Sequence, residues 1–236
     1  MNTSFFRSIH GVEGHTNFAF RLNLFTIVVV LGCILTALTI YAVSMMSRTY
    51  YSRKIVHGYR YIHINIFTSF MWMQTANLCF FIVDTLVFVL PATGLVTSLC
   101  ASVAPNHFLK AVYLLQLFFS YQSMFYTLLF CVVRVLVVSF PEKHHEIYSR
   151  FIKWFILFAS TFPVLVDFFL FPALGYCRHY IAPFESAAFF ISYSQTLLNI
   201  RIDYVHLSLS FAFPIVILLL NGCLACRIQK AKKKSQ

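Results

Sequence analysis

Polar residues in this chain fall into short clusters between long apolar stretches. Five stretches are long enough to cross a bilayer, whose hydrocarbon core takes about 20 apolar residues in helical form. They run roughly Leu22–Met46, Ile62–Leu90, Phe108–Phe140, Phe151–Leu174 and Tyr204–Cys226. Each is apolar nearly all round, so length, rather than an amphipathic stripe, is the signal. Helix is the expected form, because lipid supplies no partner for an open backbone N–H or C=O. The ten-residue alternation of an outer-membrane barrel is absent from the sequence. The pattern predicts an all-α, polytopic transmembrane helix bundle, a single multi-pass membrane domain over residues 1–236. It has no internal repeat, low-complexity tract or soluble domain.

Composition narrows the class further. Of the 236 residues, 60% are hydrophobic and 11% charged, and mean hydropathy is +0.78. A soluble domain is about 45–50% apolar and about 25% charged. An ordinary cytosolic enzyme, a disordered chain and a disulfide-rich secreted domain are thereby excluded, and lipid is the expected surrounding. A net charge of +11 would suggest nucleic acid in a soluble protein. Here the basic residues lie in short loops between apolar runs, where they orient membrane helices, so no nucleic-acid partner is expected.

Twelve Lys and Arg lie on one side: Arg48, Arg53, Lys54 and Arg60, then Lys143, Arg150 and Lys153, then Arg227, Lys230 and Lys232–Lys234. Five lie on the other: Arg7, Arg21, Lys110, Arg178 and Arg201. The positive-inside rule predicts an outer N-terminus and a cytosolic C-terminus. The first run is too long for a cleavable signal and lacks a small-residue cleavage site, so it is expected to stay as a signal anchor. The longest loops, roughly 91–107 and 175–203, fall outside.

Seven cysteines are present. Cys33, Cys79 and Cys131 lie in spans and read as buried apolar fillers. Cys100 and Cys177 are both expected outside, where disulfides persist. A bridge between them would tie the second outer loop to the top of span three; the alternative is two unpaired loop thiols. Cys223 and Cys226 form a C-x-x-C at the cytosolic end of span five, without the βαβ setting of a redox motif. They are candidates for juxtamembrane palmitoylation, or else plain interfacial thiols.

Charges within a span cost about 2.5–3.5 kcal/mol each on insertion scales, so each needs a reason. Asp84 and Asp167 sit in the outer parts of spans two and four, as pocket residues or as interfacially exposed ones. Gln116, Ser120, Gln122 and Tyr126 spread over more than one face of span three, as expected of helix–helix hydrogen bonding. His206 is a further pocket candidate or pH sensor. Arg134, near the inner end of span three, either snorkels to the interface or contacts a cytosolic partner. Pro163 and Pro172 in span four and Pro214 in span five are expected to kink those helices, Pro163 and Pro214 foremost.

Enzyme signatures are missing: no H-E-x-x-H, G-x-S-x-G, P-loop or G-x-G-x-x-G occurs. The chain is expected to be no enzyme and to need no metal or cofactor. His144–His145 beside Glu142 and Glu146 reads as a solvated loop rather than a metal site. Asn2-Thr3-Ser4 is a glycosylation sequon on the expected outer side. A transporter would show repeats and a midplane charge, and neither is present.

Several segments in order carry a resemblance. They are S-I-H-G at Ser8–Gly11, the basic first inner loop, and L-P-A-T-G-L-V-T-S-L-C-A-S-V-A-P-N-H-F-L-K from Leu90 to Lys110. After them come F-C-V-V-R-V-L-V-V-S-F-P from Phe130 to Pro141 and G-Y-C-R-H-Y-I-A-P-F from Gly175 to Phe184. Together they resemble the nematode serpentine chemoreceptors of the Srg superfamily, most of all class U (Sru). Where related classes continue with Phe-Gly after Pro183-Phe184, this chain has Glu185-Ser186-Ala187.

The resemblance implies a seven-helix, G-protein-coupled-receptor-like fold in chemosensory neurons, at the plasma membrane or sensory cilium. It would bind a small molecule outside and signal to a heterotrimeric G protein. On it, Arg134 matches the arginine at the cytosolic end of helix three. Cys100 and Cys177 resemble the loop-to-helix-three disulfide, and Pro214 resembles the helix-five proline. Five spans are two short of that architecture. The expectation this raises is a truncated, non-signalling relative that pairs with full-length receptors. Lys233-Lys234-Ser235-Gln236 then has the form of a dilysine retrieval signal for the endoplasmic reticulum, or serves only as the basic flank of span five.

Overall fold

The computed structural model describes residues 8–11, 22, 24–57, 64–179, 187–191 and 202–235. It is mostly helical. The long helices are α1 (Leu24–His57), α2 (Ile64–Asp84), α3 (His107–Ser139), α4 (His144–Val166) and α5 (Ile202–Ser235). Among the described residues, five segments are long and apolar enough to cross a membrane: Leu24–Ser52, Ile64–Ala92, His107–Ser139, His144–Leu170 and Asp203–Lys230.

The fourth helix departs most from its apolar run. It begins at His144, ahead of Phe151, with Glu146 in its first turn, where a carboxylate suits the positive end of the helix dipole. It ends at Val166 and continues only as a 3₁₀ turn, Phe168–Leu170, so Pro172 lies beyond the helix instead of kinking it. Pro163 and Pro214 do lie inside α4 and α5.

The chain divides into two compact units. The first comprises Met1–Thr39, Leu78–Phe119 and Val166–Arg201. Here α2 passes into a π turn, Thr85–Val89, closed by Leu90 N–H donating to the Thr85 carbonyl. The extra residue comes just before Pro91, whose missing N–H already breaks the regular ladder. Gly94 then takes φ of 89°, open to glycine at no cost, and ends the helix. A short helix, Thr97–Ser102, leads to Asn106, whose side-chain oxygen accepts from the Leu109 N–H at 2.8 Å and caps α3.

A hairpin completes this unit. Strands β1 (Gly175–His179) and β2 (Ala187–Ile191) pair antiparallel, with Cys177 opposite Phe189. On the other edge of β1, Ser8 bridges Arg178 and Asn106 bridges Gly175. The Ile9 N–H donates to the Cys177 carbonyl and the Gly11 N–H to the Ala101 carbonyl, each at 3.1 Å. Ile9 thereby enters a small core with Cys100, Ala101, Leu109 and Cys177.

The second unit comprises Ile40–Asn77, Ser120–Leu165 and Ile202–Gln236. Aromatic contacts dominate it. Phe125 on α3 meets Phe158 and Phe162 of α4 and Phe213 of α5 edge-on, with centroids 5.4, 5.1 and 5.0 Å away. Trp72 of α2 stacks on Tyr126, and Tyr50 of α1 stacks on Phe67 of α2. The edge-on contacts of Phe125 suit the ring quadrupoles. They also supply the close packing that must hold helices together where lipid removes the hydrophobic drive.

Candidate functional site

The first unit carries a disulfide-tied cap over buried polar groups. Cys100 and Cys177 are bonded, with Cα atoms 5.7 Å apart, joining the short helix to β1. Gly175 lies so close to the start of α3 that an added Cβ would collide with the Leu109 and Lys110 backbone, the Lys110 Cα standing 2.8 Å away. Arg178 lies 3.7 Å over the Phe190 ring. Burial pushes the Tyr176 phenol up, and the Arg178 charge pulls it down by less. His10 presents Nδ1 to the Ala101 carbonyl at 3.2 Å, which places the proton on that nitrogen.

Below this cap in sequence, Lys110 is buried in the first turn of α3. The charge count places it on the outer side, and it falls within both the apolar run from Phe108 and the helix from His107. Its ammonium donates to the Phe171 carbonyl at 2.6 Å and lies 5.2 Å from the Phe171 ring centroid. A carbonyl and a ring face thus solvate the cation. Gln116 is buried and donates to Asp84 Oδ1 at 3.0 Å, while its own Oε1 has no hydrogen-bond partner among the described residues. Asp167 is also buried, and its Oδ1 has no partner among the described residues. Interfacial exposure of Asp167 is therefore overturned. The helix stops one residue before it, and the 3₁₀ turn folds the carboxylate inward.

In the second unit, Gln122 donates to the Ala159 carbonyl of α4 at 2.6 Å, within buried surroundings. Ser123 donates to Asn77 Oδ1 of α2 at 2.5 Å. Neighbouring residues of α3 thus reach two different helices, which explains why polar residues spread over its faces. His206 of α5 sits with its ring 5.9 Å from Tyr121.

Arg134 is half-buried, its guanidinium 5.5 Å from the Phe130 ring, and Phe130 packs on Phe70 at 5.8 Å. Cys131, one turn earlier, hydrogen-bonds Asn221 of α5. Cys223 and Cys226 are exposed on α5. Cys33 is exposed too, a correction to its reading as a buried filler, because none of the apolar window of α1 is buried. Cys79 is half-buried and Cys131 buried. His144 Nδ1 contacts the Pro141 carbonyl at 2.7 Å, closing the turn into α4. No metal-holding group of three His, Cys, Asp or Glu side chains occurs among the described residues. Asn2 lies outside the described residues.

Sequence reasoning missed Ile9, the hairpin, the burial of Lys110 and the role of Gly175. A lone isoleucine before His10-Gly11 and a glycine two residues before Cys177 were the available signals.

Comparison with known proteins agrees with this architecture. "Serpentine receptor class U-26" of Caenorhabditis elegans is 28% identical over 204 residues, covering 85% of this chain and 68% of that protein. The family model described as "Serpentine type 7TM GPCR chemoreceptor Sru" matches residues 9–236. That match, over five membrane-length apolar helices, makes this chain a multi-pass membrane protein belonging to the Sru family of serpentine chemoreceptors.

Proposed function

We propose that this chain binds a small molecule on the outer side of the plasma membrane or sensory cilium and passes the signal to a cytosolic heterotrimeric G protein. On this reading the N-terminal end and the disulfide-tied cap face outside, and the loop bearing Lys143 and the tail bearing Lys230 face the cytosol. The twelve-to-five asymmetry of Lys and Arg supports that orientation. The observation that carries the reading is the make-up of α3 within a chemoreceptor family. It holds the buried polar residues Lys110 and Gln116 early and the half-buried Arg134 late. A ligand must favour one of two helix arrangements to transmit anything, and such a helix serves both ends.

The test is a G-protein reporter in cells displaying the chain, challenged with small-molecule panels. Arg134→Ala should abolish an evoked response at unchanged surface amount. A response that survives the substitution sinks that role for Arg134, and no response to any panel in displayed protein counts against signalling.

Pairing with a related receptor is a second reading. It is favoured by α1 and α5, whose apolar windows are only 0% and 6% buried. Co-purification of a tagged seven-span relative from mixed expression would support it, and a purely monomeric, responsive product would overturn it.

A further inference from the structure

The first two turns of α4 have no part in the reading above. The helix begins at His144, whereas its apolar run begins at Phe151, leaving seven residues, His144–Arg150, outside the run. At about 1.5 Å per residue that is roughly 10 Å, enough to cross one headgroup layer of about 5–8 Å. An open cleft of about 390 Å³ lies along this stretch, lined by Lys143, Glu146, Ile147, Arg150, Phe151 and Trp154. From Glu146 on, these residues recur at three- and four-residue spacings and form one stripe of α4, with Lys143 in the turn just before it. Trp154 is 70% exposed, and tryptophan concentrates at the level where acyl chains meet head groups. The stripe therefore runs from charged to aromatic across the membrane surface.

Its charges are two cations, Lys143 and Arg150, and one carboxylate, Glu146. Glu146 and Arg150 stand 3.7 Å apart with side chains 78% and 81% exposed, so water screens the pair and it opens readily. The head group whose charges mirror this set has two anions and one primary ammonium. Phosphatidylserine has that pattern: phosphate, carboxylate and ammonium. Phosphatidylglycerol would leave Glu146 without a partner, and phosphatidylcholine offers one anion and no N–H donor.

We infer that this cleft is a binding site for a phosphatidylserine head group, with Lys143 and Arg150 on its anions, Glu146 on its ammonium and Trp154 against the glycerol and upper acyl chains. The inference rests on the proposed orientation, because anionic lipids of this kind are concentrated in the cytoplasmic leaflet.

The test uses the full chain in detergent with equal amounts of phosphatidylserine, phosphatidylglycerol and phosphatidylcholine, counting retained lipids by native mass spectrometry. One net cation near the surface predicts serine lipid over choline lipid by about fivefold. Serine lipid should also exceed glycerol lipid. Lys143→Gln with Arg150→Gln should erase the preference over choline lipid. Glu146→Gln should equalise the two anionic lipids and keep both above choline lipid. Equal retention of all three by the unmodified chain overturns the proposal, and so does a serine preference that survives the double substitution. Displacement by an equal concentration of free glycerophosphoserine would mark a soluble-anion site and likewise overturn it. The orientation is read separately, by labelling Lys143→Cys in intact cells with an impermeant maleimide against the unsubstituted chain. Labelling from outside would sink the orientation and leave the detergent result standing.

Discussion

Gln122 of α3 donates its side-chain amide to the Ala159 carbonyl of α4, the carbonyl that Pro163 leaves without a donor. Proline has no N–H for the residue four positions back, so a kink-forming residue on one helix is matched by an amide on its neighbour. Both partners are buried, where an open carbonyl would cost about 1–3 kcal/mol. Interhelical hydrogen bonds in membranes average about 0.6 kcal/mol and reach about 1.7, because helices in lipid usually find other partners. Pro163 removes the regular i+4 donor to Ala159, which puts this bond at the upper end. Gln122→Ala should destabilise the chain by about 1.5 kcal/mol, yet by under about 0.5 when Pro163→Ala restores the N–H. Detergent or urea unfolding of the four proteins of the cycle measures the coupling. Equal costs in both backgrounds would show that the amide does not serve the proline gap.

Gly175 and Gly222 make a second, paired prediction. A Cβ at position 175 collides with backbone that cannot swing aside, whereas one at 222 meets nothing within 4 Å. Gly175→Ala should cost about 3 kcal/mol or more. Gly222→Ala, inside α5, should be neutral or stabilise by up to about 1 kcal/mol. Thermal unfolding monitored by helical circular dichroism separates them.

The Cys100–Cys177 bond closes a loop with a sequence separation of 77. In the chain-entropy account such a loop contributes about 4 kcal/mol, less where membrane helices already restrict the unfolded chain. Cys100→Ser should therefore lower stability by about 2–4 kcal/mol and loosen the Ser8–Gly11 segment. Hydrogen exchange at Ile9 and Gly11, whose N–H groups donate across this junction, provides the readout. Unchanged protection in the variant would mean the strand pairing alone holds the segment.

Phe125 is the meeting point of three helices. Phe125→Ala should cost about 3–5 kcal/mol, and Phe125→Leu clearly less, because Leu refills much of the volume without the edge-on contacts. Unfolding of both variants by denaturing detergent gives the comparison. Equal, small losses would place the packing weight elsewhere.

Much of this was legible from the pattern of apolar runs. Five membrane-length helices follow from length and hydropathy alone, since lipid leaves the backbone few alternatives. The start of α4 was not legible, because hydropathy marks where apolar residues begin and is silent on a polar helical turn such as His144–Arg150. Lys110 falls inside the apolar run from Phe108, but only its placement in three dimensions reveals the Phe171 carbonyl that receives its ammonium. The polar residues of α3 signalled interhelical bonding, but only three-dimensional placement pairs Gln122 with Ala159 and Ser123 with Asn77. Segment 175–203 read as loop because β1 and β2 are short and the residues that bridge the other edge of β1, Ser8 and Asn106, lie far away in sequence.

The docking of Ile9 onto Cys177 also sets an order of assembly. A ribosome adding roughly 5–20 residues per second needs roughly 10–30 s to travel from the ninth codon to the hundred-and-seventy-seventh. Throughout that interval the nascent N-terminal segment has no strand to join. It stays open to whatever enzymes and chaperones meet it first. Ser8–Gly11 are made long before Cys177 and can dock only after it, so their docking marks a closed cap.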